Sequence, residues 1–128
     1  MTLLRAGHDA SPAGMREALK DLASASDGKR RRTWAVLGAM PGADRDAHMD
    51  LGRFLVRLDI SHLVAVGQVA GGIHAGAVLE GSWGEESVHV DDAPTALALL
   101  HEELRPDDVV LVLGAGLEPV VAALEEQP

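Results

Sequence analysis

Val109-Val-Leu-Val-Leu-Gly114 is five consecutive aliphatic residues closed by a glycine. The run is too short for a helix, and its β-branched content with apolar side chains on both sides of the pleat suits a parallel strand covered on both faces. Trp34-Ala-Val-Leu-Gly38 and Leu63-Val-Ala-Val-Gly67 repeat the pattern, and Ser87-Val-His-Val90 supplies a fourth run. Thr2 to Arg5 is a short candidate for an edge strand. The segments between these runs have helical spacing. Ser11 followed by Pro12 is an N-cap with proline at the first helical position, and Met15, Leu19 and Leu22 then share one stripe, giving a helix that ends near Asp27-Gly28. Asp44 or Asp46 caps a second helix whose inner stripe is Leu51, Leu55 and Leu58, leaving Arg45, Arg53 and Arg57 outside. A third, Gln68 to Glu80, carries Gly71, Gly72 and Gly76 and is intrinsically the weakest, since each interior glycine costs up to about 1 kcal/mol against alanine. Asp92 caps a fourth with Leu97, Leu100 and Leu104 aligned, and Glu118-Pro119 opens a fifth with Val120, Val121 and Leu124 inside. Alternating β and α units with short connections predict one three-layer α/β sandwich over residues 1–128, with a mainly parallel sheet and right-handed crossovers.

Composition narrows the function. The 128 residues contain no cysteine, which excludes disulfides, thiolate catalysis and cysteine-ligated metal sites. Trp34, Trp83 and Phe54 are the only aromatic residues, and the net charge is −9, so a nucleic-acid partner is not expected. The charge is uneven: residues 1–57 hold 10 basic and 7 acidic side chains, residues 58–128 hold 1 and 13. No signal-type or membrane-length apolar stretch occurs, so the expected setting is the cytoplasm, without a membrane partner. Lys29-Arg-Arg-Arg32 reads as a solvated loop in preference to a phosphate site.

In an open parallel sheet, ligands bind beyond the carboxyl ends of the strands. The loops there are thin in catalytic side chains. Gly114-Ala-Gly116-Leu-Glu-Pro119 is a fragment of a dinucleotide fingerprint placed after the last strand, and a tight strand-to-helix turn explains it better, although bare N–H groups there could hold an anion. No P-loop occurs, so ATP hydrolysis by this chain alone is not expected. His8-Asp9-Ala10-Ser11 brings an imidazole, a carboxylate and a hydroxyl into one loop, but neighbours in sequence rarely reach triad geometry. The six histidines show no zinc-binding spacing. His89-Val-Asp91-Asp92 is too short to supply a hard-cation shell, and Asp92 has a simpler use as a helix cap. Trp83 suits a buried anchor and a ligand contact equally well.

Taken in order, several segments resemble the C-terminal domain of the Mur ligases, closest to the D-alanyl-D-alanine-adding type, MurF. The family's opening loop, D-x-Y-N-A-N-P-x-S-M, stands here as Ala6-Gly-His8-Asp9-Ala10-Ser11-Pro12-Ala-Gly14-Met15. Its V-L-G-D-M landmark and the helix bearing histidine appear as Val36-Leu37-Gly38-Ala39-Met40 and His48. Further matches are Asp59 to Gly67, residues 74–78, Ala96 to Leu100 and Leu104 to Val112, so the resemblance runs from about residue 5 to 124.

This resemblance implies a Rossmann-like domain that closes over a central ATPase domain in peptidoglycan synthesis. In the complete ligases, ATP phosphorylates the carboxylate of a UDP-muramoyl-peptide and the amine of a dipeptide attacks the acyl phosphate. The C-terminal domain helps seat the dipeptide and touches the nucleotide, while the P-loop and magnesium ligands belong to the central domain. Several polar positions differ from the family pattern. Aspartate after V-L-G is Ala39, and the family's K-G-S-R after the last strand is Leu113-Gly114-Ala115-Gly116.

The expectation is therefore a degenerate, stand-alone binding or regulatory module of MurF type, without catalytic residues, metal site or activity of its own. On this view it binds no cofactor alone and meets Mg-ATP only beside a partner ATPase domain. The alternative is one part of a split ligase. Candidate partners are a Mur ligase central domain and a peptidoglycan precursor peptide. The candidate ligand-binding residues are His8, Asp9, Ser11, Gly38, His48, Gly114, Ala115 and Gly116.

Overall fold

A computed structural model describes residues 1–4, 7–81 and 86–126. In chain order its elements are β1 (Thr2–Leu3), α1 (Pro12–Ser24), β2 (Thr33–Leu37), α2 (Arg45–Arg57) and β3 (His62–Val66), then α3 (Gly71–Glu80), β4 (Ser87–Val90), α4 (Ala93–Glu103), β5 (Val109–Leu113) and α5 (Glu118–Glu125). All neighbouring strands pair in parallel, in the order β1-β5-β2-β3-β4. The chain steps outward from β2 to β4 and then returns to insert β5 between β1 and β2.

Two apolar layers follow from this winding. Met15, Leu19 and Leu22 of α1, Leu51 and Leu55 of α2, and Ile73 and Ala77 of α3 pack on one sheet face with Ala35, Leu37, Leu63 and Leu111. On the other face, Ala96 and Leu100 of α4 and Leu117, Val120 and Leu124 around α5 meet Trp34, Val36, Val64 and Val110. All five residues of β2 are buried, whereas β4 at the sheet edge is only partly so. Three helices cover one face and two cover the other.

The caps fall where the side-chain chemistry places them. Ser11 Oγ accepts from Gly14 N–H at 3.0 Å, Asp44 Oδ1 from Ala47 N–H at 2.8 Å, and Asp92 Oδ1 from Thr95 N–H at 2.9 Å. Asp44, and not Asp46, caps α2. Leu58 is the half-buried residue that ends α2 and not part of its buried stripe; His48 and Gly52 take that face with Leu51 and Leu55. The third helix starts at Gly71, later than its apolar pattern suggests. Of the expected edge strand, Thr2 and Leu3 pair with β5, while Arg5 lies outside the described residues. Trp83 also lies outside them.

The glycines of α3 reverse their sequence-level meaning. A Cβ at Gly76 would fall on the Met49 carbonyl and stand 2.8 Å from Met49 Cα, and one at Gly52 would stand 2.7 Å from Ala77 N. Real side-chain carbons do not approach backbone this closely, so α2 and α3 touch main chain to main chain because both carry glycine. The propensity lost inside α3 is exchanged for this close packing.

The basic run is solvated only in its first half: Lys29 and Arg30 are exposed in a turn, whereas Arg31 and Arg32 are half-buried. Arg32 donates to both Asp108 oxygens, at 3.0 and 2.7 Å, and to Glu103 O at 2.8 Å. Arg31 donates to Asp107 O at 2.8 Å and to Thr2 Oγ1 at 2.6 Å, and Lys29 pairs with Asp59. The buried Asp108 carboxylate accepts further from Trp34 Nε1 and Arg105 N–H, each at 2.9 Å. Burial raises this carboxyl's pKa, but the hydrogen bonds from Arg32, Arg105 and Trp34 together outweigh it and hold it below the usual aspartate range. These arginines clamp the amino-terminal ends of β1, β2 and β5 and are committed there.

Candidate functional site

The strand order locates the site. β2 leads into α2 on one face and its neighbour β5 leads into α5 on the other, so their carboxyl ends diverge at the sheet's topological switch point, where ligands of open α/β sheets bind. Gly38 follows β2 and Gly114 follows β5. A Cβ on Gly114 would lie 2.6 Å from Gly38 Cα, and one on Gly38 would lie 3.0 Å from Ala115 N. Gly114 also has φ +125°, which disfavours any side chain. Gly38 N–H donates to Leu113 O and Ala115 N–H donates to Ala39 O, both at 3.0 Å. The β2–β5 ladder thus runs on through both loops and closes the base of the crevice.

His48 sits under this junction, fully buried. Its Nδ1–H donates to Asp44 O at 2.7 Å and its Nε2 accepts from Met40 N–H at 3.0 Å. Both ring nitrogens are therefore occupied in fastening the β2–α2 loop to α2. Gly72 faces the His48 Cβ at contact distance, which brings α3 into the same support.

The first loop reaches the neighbouring position. His8 and Gly7 line a pocket of about 380 Å³ with Leu111, Leu113 and Val121, beside the end of β5. His8 Nε2 lies 3.1 Å from Asp21 Oδ2 of α1, so its acidic partner is Asp21 and not the adjacent Asp9. Asp9 Oδ1 accepts from Ser11 Oγ at 2.5 Å and from Ser11 N–H at 3.1 Å, and these bonds lower its carboxyl pKa, the hydroxyl's most of all. Ser11 in turn caps α1, so Asp9 and Ser11 form a helix-start knot, His8 pairs elsewhere, and no nucleophilic triad forms. Ala6 lies outside the described residues.

Among the described residues no group of three or more histidine and carboxylate side chains could hold a metal. At the end of β5, Leu113, Ala115 and Gly116 offer neither cation nor hydroxyl, Ala115 N–H is already donated, and Glu118 puts a negative charge on the first turn of α5. Glu118 thus opposes the attraction that a helix start ordinarily exerts on a phosphate. The neighbouring pocket has apolar walls in Leu111, Leu113 and Val121.

Sequence reasoning found the glycine turns but not why they belong together, since the insertion of β5 beside β2 leaves no local signal. It also missed His89, whose Nε2–H donates to Gly67 O at 2.7 Å and secures the loop after β3. His74, which shares Ser87 Oγ at 2.6 Å, stacks near it with centroids 6.4 Å apart. Asp92 caps α4 with Thr95 and leaves no cation shell.

Comparison with known proteins agrees with this geometry. A family model described as "Mur ligase, glutamate ligase domain" matches residues 9–116. The chain is 43% identical over 145 aligned residues to the UDP-N-acetylmuramoyl-tripeptide--D-alanyl-D-alanine ligase of Mycobacterium tuberculosis (strain ATCC 25618 / H37Rv), covering 97% of this chain and 28% of that protein. Against the ligase of the same name from Mycobacterium leprae it is 42% identical over 127 residues, covering 88% and 25%. A crystal structure of MurF from Acinetobacter baumannii superposes with a TM-score of 0.71 at 25% identity, over 94% of this chain and 26% of that one. MurF from Thermotoga maritima, in complex with ADP, shares the fold with a TM-score of 0.65 at 18% identity, over 97% and 27%. The chain spans about a quarter of the length of the curated relatives it matches. With the family model covering most of the chain and the sheet built as in MurF, this chain belongs to the Mur ligase C-terminal domain family and is MurF-like.

Proposed function

We propose that this chain is a peptide-seating lobe: a binding module of MurF type in peptidoglycan precursor synthesis that performs no ATP chemistry alone. The observation that carries this reading is the switch-point crevice, closed at its base by the Gly38–Gly114 contact and bordered by the apolar side chains Leu111, Leu113 and Val121. Such a crevice suits the amides and methyl groups of a short peptide such as D-alanyl-D-alanine, and Glu118 disfavours phosphates there. In this reading Gly38, Gly114, Ala115 and Gly116 shape the seat, His48 holds it from beneath, and His8, Asp9 and Ser11 border it. Mg-ATP is met only on a partner ATPase domain.

Amide NMR titration with D-alanyl-D-alanine, a UDP-muramoyl-peptide and Mg-ADP, each added separately, tests this. Saturable shifts within residues 7–12, 38–48 and 113–118 for a peptide ligand and none for Mg-ADP are expected. Shifts with Mg-ADP alone would overturn it. The second reading, one part of a split ligase, is favoured by 43% identity across nearly the whole chain to a ligase four times its length. It requires amide-bond formation, with phosphate release, on mixing with a separately produced central domain.

A further inference from the structure

At the opposite end of the sheet from the switch point lies a groove the proposed seat does not use. With three helices on one face and two on the other, α4 lies toward β3 and leaves the adjoining surface of β4 open. Val88 and Val90 there are only partly buried. The resulting groove holds about 570 Å³. His62 and Val88, both half-buried, are the accessible part of its floor, with the buried Trp34 and Val64 beneath, and Leu99 of α4 is its wall. The Trp34 and His62 rings stack, with centroids 4.1 Å apart and planes 19° apart, making part of that floor flat.

The rim is acidic. Glu86 and Glu103 border the groove, and their carboxylates make no hydrogen bond or salt bridge among the described residues. Among the described residues the one arginine or lysine at the groove, Arg32, is already committed to both oxygens of Asp108. The half of the chain that carries the rim holds 13 acidic side chains against 1 basic.

We infer that this groove docks a cationic amphipathic helix of a partner protein, its apolar stripe on His62, Val88 and Leu99 and its Lys or Arg side chains on Glu86 and Glu103. Four residues of β4 span about 13 Å, which a helix of about nine residues matches. Such a helix would complete the thinner helical layer, burying apolar surface and supplying the missing positive charge.

The test is an amide NMR titration of the full chain with an amphipathic Leu/Lys helical peptide of about 14 residues and with its Leu/Glu counterpart. Saturable shifts centred on residues 62–64, 86–90 and 99–103 are expected with the Leu/Lys peptide only. The Glu86→Lys/Glu103→Lys variant should bind about ten-fold more weakly, while Glu118→Lys/Glu126→Lys, with the same net charge, should change affinity less than about three-fold. Equal weakening in both variants, equal binding of the Leu/Glu peptide, or no saturation by about 1 mM peptide would overturn the inference. Concentration-dependent shifts at the groove without peptide would overturn it in favour of a second copy of the chain. The switch-point residues report separately on the proposed peptide seat, so the two readings can fail independently.

Discussion

Replacing Gly76 with alanine sets two physical effects against each other, and the structure says which wins. In an isolated helix the change stabilises by up to about 1 kcal/mol, because alanine restricts the unfolded chain and favours helix. Here the new Cβ would fall on the Met49 carbonyl, 2.6 Å from its carbon and 2.8 Å from its Cα. Those are backbone atoms and cannot swing aside, so α3 must move off α2 by roughly 1 Å, loosening a close-packed contact. Overpacking of this kind costs about 1–3 kcal/mol, and more when main chain must shift. The expected net effect is a loss of about 2 kcal/mol, which for a domain of this size lowers Tm by roughly 6–10 °C. Thermal unfolding followed by far-ultraviolet circular dichroism measures it. Gly52→Ala, against Ile73 and Ala77 from the other side of the same contact, should behave alike. An unchanged or raised Tm for Gly76→Ala would show that the helices are not in main-chain contact and would refute the account of α3.

Other outcomes follow from the buried polar groups. His48→Ala should lose roughly 2–4 kcal/mol by urea denaturation, because it leaves Met40 N–H unpaired beside a cavity, while Asp44 O keeps the backbone N–H of residue 48; a loss under about 1 kcal/mol would mean the ring is not a strut. Burial, then the neighbouring Arg32, lowers the pKa of His62, and burial, then His89, lowers that of His74. For a base with a depressed folded pKa the unfolded chain binds more protons, so this stability is complete above the unfolded value near 6.5 and falls as pH drops through the folded values. Urea midpoints should therefore decline from pH 7 to pH 5, less steeply in His74→Gln, and parallel profiles would contradict this. Asp108, held below the usual range, stabilises above the unfolded aspartate value of about 3.9 and loses this as pH falls further; Asp108→Asn should flatten that acid limb. Asp9→Ala should speed amide exchange at Ser11 and Gly14, and unchanged exchange would remove Asp9 from the start of α1.

Most of the fold was legible because its signals are local. The glycine-ended aliphatic runs became β2, β3 and β5, and Ser11, Asp44 and Asp92 each cap the helix that follows them. The illegible parts depend on what strand order brings together. Arg32 looks solvated beside its neighbours in sequence, and only the return of β5 next to β2 sets Asp108 against it. The α3 glycines look like weak helix until α2 is laid across them. The same holds at the candidate site: Gly38 and Gly114 were each recognisable as turn glycines, but their mutual contact requires the switch point. His48 carried no sign of which atoms it would hold, because its partners are main-chain groups that every sequence possesses.

The joined loops after β2 and β5 have a mechanical consequence. Two turns that share hydrogen bonds and have no side chain between them cannot open independently; they transmit a push on one directly to the other. Any partner pressing on the Pro41–Ala43 side of the crevice therefore also displaces the start of α5, and any load on α5 returns to the histidine in the first turns of α2. The carboxyl end of the sheet therefore responds to load as one stiff block, in which a strain applied at either loop is shared by both.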